Sequence, residues 1–337
     1  MNPKNNIPLR PLITIMILFF FILFSGCTNK QQQQHQKTII LAHAMHATHP
    51  VTLGMNYMAE RLEEISEGRL AIKTYPTGQL GGERELLELI QIGTIGITKV
   101  SGAALENIVP TARVFSLPYL FRDEDHYRTV VDGEIGQEIL DAGSSFRLKG
   151  IAYYDAGFRS FYTKDRPIMT PDDLRGMKIR VQPSVMAINL IRAYGGSATP
   201  LAYGELYTAF QGGIVDGAEN NPPSFYSSRH YEVTNYYIIN EHTAVPDFLV
   251  IGTPLWNSLS EQEQQWLQQA VDESVQYQRV LWDESVLESM DAVKAAGVEV
   301  IYPDKEPFRE RVMHIYDTFR ATYPDLYPLV EKIRAVE

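Results

Sequence analysis

After the capping box Ser260-Glu261-Gln262-Glu263, no glycine or proline occurs until Gly297. Serine at the N-cap and glutamate three residues on satisfy each other's free N–H groups, which fixes where a helix starts. Leu267, Ala270, Val271 and Val275 then mark one apolar face at helical spacing. A helix approaching 37 residues is about 55 Å long at 1.5 Å per residue. That exceeds the width of one small domain, so the helix is expected to span two. The chain length of 337 residues agrees, at about 150 residues per domain.

The rest of the chain alternates short strands with helices. Thr38 to Leu41 reads as a strand, Leu53 to Ile65 as a helix with Met55, Met58 and Leu62 on one face, and Leu70 with Ile72 as a strand. The turn Gly78-Gln79-Leu80-Gly81-Gly82 leads into a helix through Leu86, Leu87 and Ile90, and Ile95 to Val100 is the next strand. Further on, strands are predicted at Gly150–Tyr154, Met177–Val181, Ile214–Val215 and Phe248–Ile251. Helices are predicted after Thr170-Pro171, at Val185–Tyr194 and at Glu205–Gln211. This alternation predicts an α/β architecture with largely parallel pairing. There is no internal repeat and no Pro-rich or Ser-rich linker, so the chain is expected to cross between domains more than once.

Residues 1–26 read as an address. Lys4 and Arg10 precede 13 residues, Leu12 to Phe24, that are apolar except for Thr14. That length suits the ~7–15 residues of a signal peptide's apolar region and falls short of the ~20 that span a bilayer. Ser25-Gly26 are small, and Cys27 is the only cysteine. The pattern is similar to a bacterial lipoprotein signal, in which Cys27 is lipidated and becomes the new N-terminus. A buried free cysteine and an uncleaved anchor are the alternatives. Thr28 to Lys37 (TNKQQQQHQK) cannot bury a core and reads as a tether. One cysteine rules out an intrachain disulfide framework. The net charge of −11 does not suit broad contact with nucleic-acid phosphates.

Enzyme signals are missing. The sequence has no G-x-S-x-G elbow, no phosphate-binding G-x-x-x-x-G-K-[ST] loop and no G-x-G-x-x-G fingerprint. Asp216 and Glu219 form the tightest carboxylate pair beside a glycine turn. They offer acid–base chemistry, or a turn-forming Asp-Gly beside a structural glutamate. His43, His46 and His49 form H-x-x-H-x-x-H, which three imidazoles could turn into a zinc site. Histidines in a strand-to-helix loop also make ordinary hydrogen bonds at a cleft edge. Arg180 sits at the end of the strand Lys178-Ile179-Arg180-Val181, and in open α/β sheets ligands bind beyond the carboxyl ends of strands. Its planar fork matches a carboxylate, or forms a structural ion pair. Arg159, in Gly157-Phe158-Arg159-Ser160, holds a similar place after the preceding strand.

From about Ile39 to Phe308 the chain resembles the extracytoplasmic solute-binding subunits of tripartite ATP-independent periplasmic (TRAP) transporters. The resemblance rests on five segments in order. These are Tyr75-Pro76 with Gln79-Leu80-Gly81, Phe115 to Phe121 (FSLPYLF), Asp173 to Val181 (DLRGMKIRV), Glu205 to Gly212 (ELYTAFQG) and Val215 to Asn220 (VDGAEN). It implies a two-domain, Venus-flytrap binding-protein fold in which the long helix crosses both domains. The division expected is 38–157 plus 246–285 for domain I and 158–245 plus 286–337 for domain II. It also implies the site: Arg180 as the main carboxylate-binding arginine, Arg159 as the second, Asn220 as the asparagine and Tyr203 as the aromatic. Asn221, Ser101, His43 and His46 would complete a hydroxyl-rich shell, with Phe225 a second flat face for a sugar ring.

Ala44 and Ser101 stand where sialic-acid-binding members carry Asn and Glu, which speaks against sialic acid. The segment Ala218 to Phe225, with His230-Tyr231, is similar to members that take sugar acids such as uronates. A C4-dicarboxylate is the alternative ligand, with Arg159 on the second carboxylate. The resemblance implies capture rather than catalysis, no cofactor, delivery to integral-membrane permease subunits, and a location outside the cytoplasmic membrane. Nothing in the sequence calls for more than a monomer.

Overall fold

The structure, a computed structural model, describes residues 36–337. The expected signal segment, Cys27 and nearly all of the tether lie outside the described residues. Strands β1 (Lys37–Ala42), β2 (Leu70–Tyr75), β3 (Ile97–Ser101) and β4 (Leu148–Tyr154) belong to a first sheet. The chain then enters a second sheet with β5 (Phe158–Thr163), β6 (Lys178–Val181), β7 (Ser197–Pro200), β8 (Gly217–Asn220) and β9 (Tyr236–Ala244). It returns to the first with β10 (Asp247–Gly252) and ends in the second with β11 (Glu299–Ile301). The spatial orders are β2-β1-β3-β10-β4 and β11-β9-β5-β8-β6-β7.

Pairing is mixed rather than largely parallel. β10 runs antiparallel to both β3 and β4, and β5 antiparallel to both β8 and β9. The reason is the crossing itself. A strand arriving from the other sheet needs no crossover helix, and parallel pairing is the arrangement that requires one. The strand expected at Ile214–Val215 forms three residues later, as β8. Before it, Asp216 docks on the sheet edge, its carboxylate accepting from the Lys178 N–H at 2.7 Å. The helix expected after Thr170 is one 3₁₀ turn, Pro171–Leu174, with the Thr170/Asp173 box intact.

The long helix is Glu261–Ala295, 35 residues, and hence about 52 Å long. Leu267, Ala270, Val271 and Val275 enter a core with first-sheet residues and the helix Pro50–Ile65. Val293 enters another, with Tyr162, Phe210 and Tyr237 of the second-sheet half, and Met290 packs against it. Between these lies the passage from β4 to β5. Gln278 grips Asp155 there, accepting from its N–H and donating to its C=O, each at 3.0 Å. Gly157 follows with φ +56, and a Cβ on it would lie 2.9 Å from Trp282 Cζ2; both conditions call for glycine.

The final helices, Glu306–Val312, His314–Thr322 and Tyr327–Ala335, also touch both halves. Tyr316 donates to the Pro118 carbonyl at 2.8 Å, and His126 Nε2 lies 2.9 Å from the Ile333 carbonyl. The C-terminal segment, expected with domain II, therefore packs on residues 118–126 of the other half as well. Among the described residues, no helix is long and apolar enough to cross a membrane.

Candidate functional site

In the second sheet β8 lies between β5 and β6. This order sets Glu219 and Asn220 between the two arginines that the sequence singles out. The two arginines are treated oppositely.

Arg159 is nearly saturated. Its Nε and Nη2 hold the Glu219 carboxylate, Nη2 also donates to the Glu219 carbonyl at 2.8 Å, and Nη1 donates to Asn220 Oδ1 at 2.9 Å. Four of the five guanidinium N–H groups are thereby used. Both side chains are buried. Burial works against each charge, but Glu219 raises Arg159, and Arg159 pulls the Glu219 carboxyl down to about 2.

Arg180 is 1% exposed, yet among the described residues it has no carboxylate partner. Its Nε and Nη2 both donate to the Leu201 carbonyl, at 3.0 and 2.8 Å. Its Nη1 has no hydrogen-bond partner among the described residues. A neutral carbonyl does not cancel a charge, and burial lowers the Arg180 pKa, with only partial relief from Tyr162 and Glu219. A buried cation without a counter-ion is costly. Here it forms part of the wall of a cleft of about 1350 Å³.

One wall of the cleft comes from Ala44, His46, the turn Gly78–Gly82, Glu83 and Asn107. The other comes from Arg180, Gln182, Tyr203, Ser228 and His230. Its volume exceeds the roughly 300–1,000 Å³ of ordinary small-molecule pockets. A second cavity, about 360 Å³ between helices Val185–Ala193 and His314–Thr322, contains neither arginine.

The other expected site residues divide. Tyr203 lines the cleft, its hydroxyl anchored on the Ser224 carbonyl at 3.1 Å, with His46 and His230 edge-on at 6.2 and 5.8 Å. His46 lines the opposite wall. Asn220 Oδ1 is taken by Arg159 and by the Asn221 N–H. Asn221 caps the helix Pro222–Ser227 through the Ser224 N–H at 2.8 Å and donates to the Ala156 carbonyl at 2.8 Å. Ser101 caps the short helix Gly102–Leu105, and its Oγ lies 3.4 Å from Gln182 Oε1 across the junction.

Phe225 is not on the cleft wall. It lies in the core, stacked on Tyr237 at 4.7 Å and tilted against Tyr162 at 4.6 Å. His43 is fully buried, with both ring nitrogens unpartnered among the described residues. His49 caps the helix Pro50–Ile65 through the Val51 N–H, and its Nε2 lies 3.1 Å from Ser224 Oγ of the other half. Among the described residues, the cluster with metal-ligand spacing is Glu124, Asp155 and Asp283, so the three imidazoles do not converge as a zinc site requires. The cluster that does form surrounds Arg128, which pairs with all three acids.

Sequence reasoning assigned no role to Gln182 and Asn107, which line the cleft, and named His230, also on its wall, only as part of the uronate-like segment. Gln182 lies two residues beyond Arg180, so strand alternation carried a signal for it. His230 lies ten residues beyond Asn220 across a helix; the resemblance marks the pair His230-Tyr231, but no spacing rule gives His230 a place in the cleft.

Burial also sets how the histidines titrate. It pushes His43 and His230 down to about 3, assisted by Lys99 and by Arg180 respectively, and holds His49 well below the ordinary range. Between pH 6.5 and about 3 the unfolded chain takes up protons that folded His43 and His230 refuse, and His49 acts in the same direction. Their contribution to stability is complete above pH 6.5 and is lost as pH falls through that window. Each removes up to about 1.4 kcal/mol per pH unit. Glu106, Asp155 and Asp247 are raised by burial and oppose this at the acidic end. Urea unfolding at pH 7.5, 6 and 5 is expected to show a falling midpoint; a flat or rising midpoint contradicts it.

Two mixed α/β halves tied by one long helix, with a cleft between them, define the binding-protein class whose halves close on a ligand. Residues 41–322 match the model of the bacterial extracellular solute-binding protein, family 7, and the chain belongs to that family, the TRAP solute-binding proteins that its motifs resemble. A solute-binding protein of Chromohalobacter salexigens is 36% identical over 288 residues, 85% of this chain and 86% of the relative. A TRAP periplasmic solute-binding protein from Roseobacter denitrificans, solved with bound β-D-glucuronate, matches with a TM-score of 0.87 and 36% identity, covering 89% of this chain and 100% of the other. One from Xanthobacter autotrophicus Py2, with bound β-D-galacturonate, matches with a TM-score of 0.86 and 38% identity over the same shares.

Proposed function

We propose that this protein captures a hexuronate, D-glucuronate or D-galacturonate, in the cleft and delivers it to a TRAP permease in the membrane. The carrying observation is Arg180: buried, cationic, without a counter-ion and with Nη1 unpartnered. A ligand carboxylate supplies what the fold withholds. The ligands of the two similar structures support the uronate reading. Tyr203 offers the ring face, and His46, Ser101 and the Asn220 amide offer polar contacts to hydroxyls. Arg159, with one N–H remaining, adds at most one hydrogen bond.

Residues 38–157 with 246–285, and 158–245 with 286–337, act as the two closing domains, hinged where β4 passes to β5, where β9 passes to β10, and within the long helix. The protein works as a monomer, held outside the cytoplasmic membrane by lipid on Cys27, and turns nothing over. Asp216 and Glu219 have separate structural tasks, on the Lys178 N–H and on Arg159. The C4-dicarboxylate reading is the weaker one, because the arginine it requires for the second carboxylate already holds Glu219.

Thermal melting of the purified protein tests this reading. D-Glucuronate or D-galacturonate at about 100 times Kd is expected to add about 2.7 kcal/mol, a shift of several degrees. Glucose and zinc are expected to leave the midpoint unchanged. A shift with succinate and none with either uronate overturns the ligand while keeping the family.

A further inference from the structure

His230 is a cleft-lining group whose ring, among the described residues, has a hydrogen-bond partner on Nδ1 alone. It is 1% exposed, its Nδ1 lies 2.9 Å from the Tyr162 hydroxyl, and its ring stands edge-on to Tyr203. Tyr162 is fully buried, and among the described residues its hydroxyl has no other acceptor. A buried hydroxyl proton needs an acceptor, so Tyr162 donates to Nδ1. A neutral imidazole carries one proton, which then sits on Nε2. The groups acting on the ring are Arg180 and His46, and with burial they keep the imidazole neutral.

We propose that His230 donates a hydrogen bond from Nε2 to an acceptor oxygen of the ligand beside the carboxylate held by Arg180, and so selects sugar acids over bare dicarboxylates. The inference rests on the uronate reading. In a hexuronate, the carbon bearing the carboxylate also bears the ring oxygen. That oxygen only accepts, and the nitrogen facing it only donates. Succinate has methylene groups at the equivalent place and leaves the N–H unmet, which is the stronger form of discrimination.

Titration calorimetry with D-glucuronate tests it on three proteins: the wild type, His230→Gln, and His230→Phe made together with Tyr162→Phe so that no hydroxyl is stranded. Glutamine keeps a donor and loses the ring; phenylalanine keeps the ring and loses the donor. The expected result is about tenfold weaker binding for the phenylalanine variant, with the glutamine variant within threefold of wild type. A role in packing gives the reverse order. That reverse order, or equal affinities in all three, overturns the assignment while the wild type's uronate binding still stands. A wild type that binds succinate but not D-glucuronate overturns the underlying reading, and the role of His230 with it.

Discussion

Arg180→Ala is expected to weaken D-glucuronate binding by roughly 10²–10³-fold or more, read by titration calorimetry. The estimate follows from removing one member of a buried charge pair, about 3–5 kcal/mol, at 1.4 kcal/mol per tenfold in affinity. The ligand-free protein is expected to melt no lower than wild type by more than a few degrees. In that state the guanidinium is itself the uncompensated charge, so its loss relieves desolvation while it leaves a hole. The two effects oppose each other, and only the binding readout moves far. Arg180→Lys retains a charge but not the fork that reaches both Leu201 and a carboxylate, and should fall between. A loss under tenfold for Arg180→Ala sinks the central role given to this residue.

Arg159 gives the contrasting result. Arg159→Met or Glu219→Met alone leaves a buried group without its partner and is expected to destabilise the fold by about 3–5 kcal/mol. Arg159→Met with Glu219→Met removes both charges, and its cost should be well below the sum of the singles. Urea unfolding of the four proteins forms a double-mutant cycle, with a coupling energy above about 2 kcal/mol expected. Because the Glu219 carboxyl lies at about 2, the coupling should persist at pH 4. Additive single effects would mean that the pair does not hold β5 to β8.

The different fates of two arginines in similar sequence settings show where sequence reading stops. Gly157-Phe158-Arg159 and Lys178-Ile179-Arg180 each announce a cation at a sheet edge. Neither announces its counter-ion, because Glu219 reaches Arg159 only once β8 is inserted between β5 and β6. The long helix was legible because its signals are local: a capping box, an apolar face and a run free of glycine and proline. Of the antiparallel strands, β4 and β10 were legible as strands, whereas β5 and β9 were not. β5 and β9 are rich in aromatic and β-branched residues that suit strands, but their partners lie in other passes of the chain. Phe225 was read as a sugar platform because an aromatic near Asn220 fits that use. Its burial depends on Tyr162 and Tyr237, which are distant in sequence and adjacent in the sheet.

The two hydrogen bonds that aim Arg180 both end on the main-chain oxygen of Leu201. No substitution at position 201, short of one that moves the backbone, deletes that oxygen. The support that orients Arg180 is thus insulated from substitution at position 201, whereas Tyr203, His230, Gln182 and His46, which line the same cleft, act through replaceable side chains. On the proposed reading, lineages with this scaffold can drift in which hydroxyls they accept without first losing the support of the arginine that meets the acid. Changes of diet should therefore be written in the residues around the arginine, and seldom in the arginine or its support.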